Sequence, residues 1–335
     1  MNELVAEKLV KKYEIKIKDG LFKREYKVVE AVKGISITIP HGKIVGLLGV
    51  NGAGKTTTIR MLSAIVKPTS GALTIDGVDA VKNYMSVKNK LNLIIGGERN
   101  LYWRLTAKEN LEYYGSLYGI KKDELHERID YLLNIVGLTE FKDVPIERYS
   151  KGMKQRVQIA RGLINNPDYL FMDEPTLGLD IIIANEMRGY IKKLAEDQNK
   201  GILLTTHYIS EAEELCDYIY IIDRGVIIAE GTKQELRNIL CYNQQLDIIT
   251  GKLTEEFLRE LEDEFQGEKV KLTYEEDNSN FKLKFVGNKE QWSGILNFMN
   301  KKNVSILDFE TKEPDLENVL LAIIKDFRQK TPSEV

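Results

Sequence analysis

Eight consecutive residues, Gly49-Val50-Asn51-Gly52-Ala53-Gly54-Lys55-Thr56, carry the densest chemical content of this 335-residue chain. Glycines at 49, 52 and 54 let the backbone curl tightly with its N–H groups turned inward, a shape that suits phosphate oxygens. The G-x-x-x-x-G-K-[ST] spacing then sets Lys55 toward β- and γ-phosphates and the Thr56 hydroxyl toward Mg²⁺. Thr57 continues the run, so residues 49–57 are all expected to bind nucleotide. A second constellation is Asp173-Glu174, at the end of the apolar run Tyr169-Leu170-Phe171-Met172. Two carboxylates at the tip of a buried strand are costly unless they meet a cation or a polarised water. Asp173 fits a carboxylate supporting Mg²⁺, and Glu174 fits a residue that orients an attacking water. A third is Tyr149-Ser150-Lys151-Gly152-Met153-Lys154-Gln155-Arg156, where a serine and a glycine at a helix mouth offer another phosphate-facing surface.

These residues need an α/β frame. Ile44-Val45-Gly46-Leu47-Leu48 reads as a buried parallel strand feeding the glycine-rich turn, with a helix from 55 to about 65 behind it. Residues 98–164 read mainly as helices, since Leu125, Ile129, Leu132, Leu133 and Val136 recur at spacings of three and four. Tyr169-Leu170-Phe171-Met172 and Ile202-Leu203-Leu204-Thr205 are further buried strands. Residues 218–222 and 226–229 form a hairpin about Asp223-Arg224-Gly225. The first forty residues read as strands, with Val28, Ala31, Ile35, Ile37 and Ile39 among polar neighbours and a turn at Pro40-His41-Gly42. The expected fold is thus a P-loop α/β core over residues 1–240, with a helical subdomain inserted at about 98–165.

Beyond 240 the pattern changes to β-α-β-β-α-β, the order of a ferredoxin-like α+β unit, placed at 241–335. Its strands fall at 246–250, 270–274, 281–285 and 304–309, with a turn at Asp277-Asn278-Ser279. Phe257, Leu258, Leu261 and Phe265 line one helix, and Trp292, Ile295, Leu296 and Met299 another. A last helix over 316–327 follows Pro314.

Composition narrows the class. Forty-eight basic and 51 acidic residues leave a net charge of −3, with 43% hydrophobic and 30% charged residues. That is ordinary globular composition, and it offers no basic field for nucleic acid. Cys216 and Cys241 cannot make a disulfide framework, no apolar run reaches the ~18 residues of a membrane span, and the N-terminus lacks a signal-peptide core. A cytoplasmic protein is expected. His41 and His126 read as surface residues.

The guanine-reading N-K-x-D pattern does not occur. The segment from Ser150, with Arg161 downstream, resembles the signature motif of ABC-type ATPases, in which one subunit covers ATP held by another. The resemblance spans about residues 1–240. It implies that Ser150, Lys151, Gly152 and Met153 act in trans. Glu174-Pro175-Thr176-Leu177-Gly178-Leu179-Asp180 is similar to the catalytic strand end running into the family's D-loop, which includes Asp180. His207, 33 residues after Glu174, matches the switch histidine that contacts the γ-phosphate. Tyr13 resembles the aromatic that stacks on adenine because it ends the first strand-like segment. An extra stretch at 19–25 makes Tyr26 the competitor. The likeness is to ATP-binding subunits of prokaryotic multidrug and sodium exporters, and Glu313-Pro314-Asp315-Leu316-Glu317-Asn318-Val319 is similar to a segment near the end of such subunits.

Departures are Lys151 and Met153, where the common signature has glycine and glutamine, and Gly97, where the family has a glutamine touching Mg²⁺ and water. Glu98 or a water is left for that contact. Arg99, Tyr102, Trp103 and Arg104 occupy a region that faces the membrane subunit in similar proteins, with packing inside the helical region as the other reading. The resemblance implies ATP and Mg²⁺ as cofactors, and hydrolysis powering a separate permease in an exporter. It also implies a head-to-tail homodimer, or a pairing with a related ATPase subunit, peripheral on the inner membrane face. The alternative is a soluble ABC ATPase acting on ribosomes or DNA. The C-terminal unit would be regulatory or a dimerisation element.

Overall fold

A computed structural model describes residues 3–19, 23–96, 100–239, 244–265, 271–277, 280–287, 289–312 and 316–331. The chain divides into two units, Met1–Thr232 and Lys233–Val335. The boundary falls before 240 because the helix at 233–239 packs with the last helix of the chain.

In the first unit, β1 (Glu3–Asp19) and β2 (Lys23–Pro40) form a long antiparallel hairpin. Alternation sends Leu4 and Ala6 of β1 and Ile35, Ile37 and Ile39 of β2 into the core, and a register shift between Ala6 and Leu9 brings Leu9 in with them. Farther along the hairpin that burial lapses, and Val28 is exposed. Next come β3 (Ile44–Leu48), buried throughout, and α1 (Lys55–Leu62). β4 (Ser70–Ile75) and β5 (Val78–Asp79) join the hairpin in a sheet of order β2-β1-β4-β5. Then follow α2 (Tyr84–Val87) and β6 (Leu91–Ile95). The helical region is α3 (Ala107–Leu117), α4 (Lys122–Ile135) and α5 (Lys151–Gly162). Leu125, Ile129, Leu132 and Leu133 are its buried stripe on α4.

The chain then returns through β7 (Tyr169–Asp173), α6 (Ile181–Glu196), β8 (Gly201–Thr206) and α7 (Ile209–Leu215). β9 (Tyr218–Asp223) and β10 (Val226–Gly231) close the unit. The second sheet has order β10-β9-β3-β8-β7-β6, parallel except for the β9–β10 hairpin. Its parallel strands β3, β7 and β8 are the near-continuous apolar runs that burial on both faces requires.

The second unit contains α8 (Lys233–Ile239), β11 (Gln244–Thr250), α9 (Glu255–Phe265), β12 (Lys271–Asp277), β13 (Asn280–Gly287), α10 (Trp292–Lys301), β14 (Ile306–Lys312) and α11 (Leu316–Lys330). Its sheet is antiparallel in the order β12-β13-β11-β14. Leu246, Ile248, Leu283 and Phe285 meet Leu261, Trp292, Ile295 and Met299 in a core of its own. β14 starts and ends later than the 304–309 strand read from sequence, because pairing with β11 carries it to Lys312. Cys241, Asn278, Ser279 and the segment Glu313-Pro314-Asp315 lie outside the described residues.

Candidate functional site

The phosphate loop leaves β3 and enters α1 through Gly54, whose φ of 109° is open to glycine and strained for other residues. Gly49 has no room for a side chain, since a Cβ there would stand 2.3 Å from the Ile222 carbonyl. The loop rests on the β9–β10 turn, where Arg224 and Gly225 both have positive φ. The Gly225 N–H donates to the Ala53 carbonyl (2.9 Å), and the Lys33 N–H donates to the Gly225 carbonyl (2.8 Å). Lys55 is buried, and its Nζ donates to the carbonyls of Gly49 (2.6 Å) and Val50 (3.2 Å). Burial pushes its ammonium pKa down, while the carboxylates of Glu174 and Asp173 partly restore it.

Both carboxylates sit where the sheet places them, at the C-terminal tip of β7 between β6 and β8. Asp173 Oδ1 accepts from the Thr205 hydroxyl at 2.5 Å, and its Oδ2 faces the Thr56 hydroxyl at 3.5 Å. The Gly96 N–H donates to the Asp173 carbonyl at 2.7 Å. A side chain at Gly96 would come within 2.3 Å of the Glu174 carbonyl, so this approach demands glycine. Glu174 holds a φ of 52°. Its N–H is fixed by the Thr205 carbonyl (3.1 Å) and hydroxyl (3.2 Å). His207, just past β8, brings Nδ1 to 3.3 Å from Glu174 Oε1. Lys55, Thr56, Asp173, Glu174 and His207 therefore meet beyond the C-terminal ends of β3, β7 and β8, the crevice where α/β sheets hold ligands. From sequence, Thr205 reads only as the end of a buried strand, and Gly96 belongs to no motif. A hydroxyl ending the apolar run beside His207 was the available signal.

The signature segment is built differently. Ser150 caps α5, its Oγ accepting from the Met153 N–H at 3.2 Å. Gly152 is buried, and a Cβ there would stand 2.9 Å from Ile183 Cγ2. Asp180 caps α6 by accepting from the Ile183 N–H at 2.9 Å, so the signature and the D-loop are packed together in one chain. An Arg156–Glu186 ion pair adds to this contact. Among the described residues, no hydrogen bond joins 150–153 to the phosphate loop. Arg161, half-buried against Tyr114 (5.0 Å to the ring centroid), donates to the Leu93 carbonyl at 3.2 Å and ties α5 to β6. Asn110 organises the loop before α3, accepting from the Tyr102 N–H at 2.8 Å and donating to the Thr106 carbonyl at 2.8 Å. Tyr102 and Trp103 are about half exposed, with Lys154 over the Trp103 ring. Gly97, Glu98 and Arg99 lie outside the described residues.

Tyr13 does not end a strand, because β1 runs on to Asp19. The described residues of the extra stretch, 19 and 23–25, belong to the hairpin arms, with Asp19 paired to Lys23 and Glu25 to Ile17. Tyr13 pairs with Val29, two residues from Ala31, whose carbonyl would stand 2.8 Å from a side chain at Gly54. Tyr26 is farther out along the hairpin and exposed. His126 is at the surface beside Glu112. His41 is not. It contacts the Asn199 carbonyl (3.1 Å) and Asp76 Oδ1 (3.3 Å), edge-on to Tyr169.

A family model described as ABC transporter matches residues 32–177. The chain is 44% identical over 215 residues to the ABC transporter ATP-binding protein NatA of Bacillus subtilis (strain 168), covering 64% of this chain and 87% of that protein. Over 299 residues it is 36% identical to the linearmycin resistance ATP-binding protein LnrL of the same organism, covering 89% and 95% of the two chains. Among solved structures, it resembles the dimeric post-hydrolysis state of the ATP-binding cassette MJ0796 bound to ADP and Pi. That match has a TM-score of 0.59 and 27% identity, over 68% of this chain and 98% of the other.

Proposed function

This chain belongs to the ATP-binding proteins of ABC transporters, and on that premise we propose how its residues share the work. The protein binds ATP and hydrolyses it to power a separate membrane permease. The backbone N–H groups of residues 49–57, with Lys55, hold the β- and γ-phosphates. Tyr13 stacks on the adenine, a role favoured by its register near Ala31. Thr56 and Asp173 present hard oxygen donors to each other, a set that fits Mg²⁺. When bound, Mg²⁺ neutralises charge on the phosphate oxygens. Glu174 orients the attacking water, and His207 holds the γ-phosphate end of the site against it.

In this reading the γ-phosphate is covered by the signature of a second copy, as the packing of 150–153 against the start of α6 rather than the phosphate loop supports. Ser150, Lys151, Gly152 and Met153 supply that cover, and Asp180 lies alongside. The head-to-tail homodimer is two-fold symmetric, so both sites close together. Among the described residues, no helix is long and apolar enough to cross a membrane. In this reading the permease is a separate chain, and Tyr102 and Trp103 mark where it docks, on the cytoplasmic face. LnrL is named for linearmycin resistance, and we read this chain as an exporter subunit with no nucleic-acid partner. The C-terminal unit is an accessory, ferredoxin-like domain.

The observation that carries this reading is the meeting of Lys55, Thr56, Asp173, Glu174 and His207 at three strand ends. The test is E174Q in the full chain. Phosphate release should fall by about 100-fold or more while ATP binding is kept and a nucleotide-dependent dimer accumulates. Release near the wild-type rate would overturn the role given to Glu174.

A further inference from the structure

Thr176 and Glu211 belong to none of the phosphate-contacting groups, yet both are buried. Thr176 stands two residues beyond Glu174, and Glu211 is in the first turn of α7, four residues beyond His207. The Thr176 hydroxyl donates to Glu211 Oε1 at 2.7 Å. Burial pushes the Glu211 carboxyl up, and the hydroxyls of Thr206 and Thr176 with the charges of Arg188 and His207 only partly offset it. A leucine would fill this site without that penalty, so the hydrogen bond is what distinguishes the pair from plain packing.

Each end of the bond is rigidly attached to one member of the Glu174–His207 contact. On one side, the Leu177 N–H donates to the Glu174 carbonyl (3.2 Å) and the Leu179 N–H to the Thr176 carbonyl (3.1 Å), two tight turns leading to Asp180. On the other, the Tyr208 N–H donates to the Thr206 hydroxyl (3.0 Å) and the Glu211 N–H to the Tyr208 carbonyl (3.2 Å), with His207 held between. Beyond the bonds that Thr205 makes to Asp173 and Glu174, the exits of β7 and β8 are thus joined by two side-chain contacts, His207–Glu174 and Thr176–Glu211.

We propose that Thr176 and Glu211 are a positioning pair that sets the separation of His207 from Glu174, so that movement of the 177–180 segment on docking of a second subunit is passed to His207. The proposal rests on the roles given above to Glu174 and His207. Misplacement of a reacting group by about 1 Å costs up to about 100-fold in rate, so the pair is expected to act on turnover.

The experiment measures steady-state ATP hydrolysis by the full chain for T176V, E211M, T176V/E211M and E211Q, with thermal melting of each. T176V and E211M should each lower kcat about tenfold with KM for ATP and melting temperature little changed. The double variant should be no slower than either single, because one link is broken once. E211Q should restore turnover, since its amide oxygen still accepts from Thr176. An unchanged kcat in T176V, multiplicative losses in the double variant, or E211Q as slow as E211M would each overturn the pair. Should E211M fail to fold, T176V and E211Q still decide. Hydrolysis by E174Q would instead strike the reading of Glu174, so the two failures are distinguishable.

Discussion

His207 Nδ1 stands 3.3 Å from Glu174 Oε1, although the two residues leave different strands and are separated by the whole of α6. The contact exists because β7 and β8 are parallel neighbours paired in register, Asp173 opposite Thr205. Geometry at this site is therefore set by the sheet, and substitutions can be sorted by whether they touch the sheet, the loop or the nucleotide.

Lys55 is held by two carbonyls of its own loop. K55M keeps the aliphatic stem and removes the charge. Its ATP affinity should fall by about 10- to 150-fold, the equivalent of losing one hydrogen bond to a charged group of ~1.5–3 kcal/mol. The melting temperature without nucleotide should barely move. Isothermal titration with a non-hydrolysable ATP analogue checks this, and unchanged affinity would remove Lys55 from the phosphate site.

Tyr13 and Tyr26 separate by affinity. Loss of a base-stacking aromatic costs about 1–3 kcal/mol, so Y13A should weaken ATP binding by roughly 5- to 150-fold. Y26A, farther out on the hairpin, should bind normally. The reverse result would move the adenine along the hairpin.

Gly96 is a steric requirement. G96A would press a methyl into the Glu174 carbonyl, 2.3 Å away, and must displace the tip of β7. Turnover should drop by at least about tenfold while the far-ultraviolet spectrum stays native. Wild-type turnover in G96A would mean that the β6 and β7 ends are free to part.

Asp76 links the two sheets of the first unit away from the nucleotide crevice. Burial alone pushes its carboxyl up, but hydrogen bonds from Lys90, Tyr169 and His41 outweigh it and hold the pKa below 3.8. A carboxylate lowered in the folded state adds stability above its unfolded pKa and loses it as pH falls through the folded value. D76N should therefore destabilise the protein at pH 7 by about 1.5–3 kcal/mol, and the gap from wild type should narrow as pH drops below about 4. Urea midpoints across that range test it. A gap independent of pH would assign the loss to shape instead of charge.

Much of this site was legible in the sequence, since the phosphate loop and Asp173-Glu174 depend on contiguous residues flanked by uniformly apolar runs. β3, β7 and β8 were readable for the same reason, because strands buried on both faces have nothing polar to confuse the pattern. β4 and β6 were not: Ser70-Gly71-Ala72 of β4 is exposed, and β6 carries Asn92, its side chain satisfied by Asn165. Tyr13 is followed by Glu14-Ile15-Lys16-Ile17, whose alternation belongs to a continuing strand, and pairing with β2 carries that strand on to Asp19. His41 looked exposed because a turn surrounds it, and only Asp76, brought in by β4, reveals its partner. Thr205 and Glu211 act across strand exits, a relation that spacing along one chain does not encode.

The strand bearing the phosphate loop has its sheet neighbours in β8 and β9, which begin at Gly201 and Tyr218. During synthesis, β3 emerges early and must wait for most of the first unit before any strand can lie beside it. The floor of the loop comes later still, with Gly225. Contacts this distant in sequence form slowly. Nucleotide therefore cannot help the early chain to fold, and the ability to bind ATP reports that translation has passed the last hairpin of the first unit.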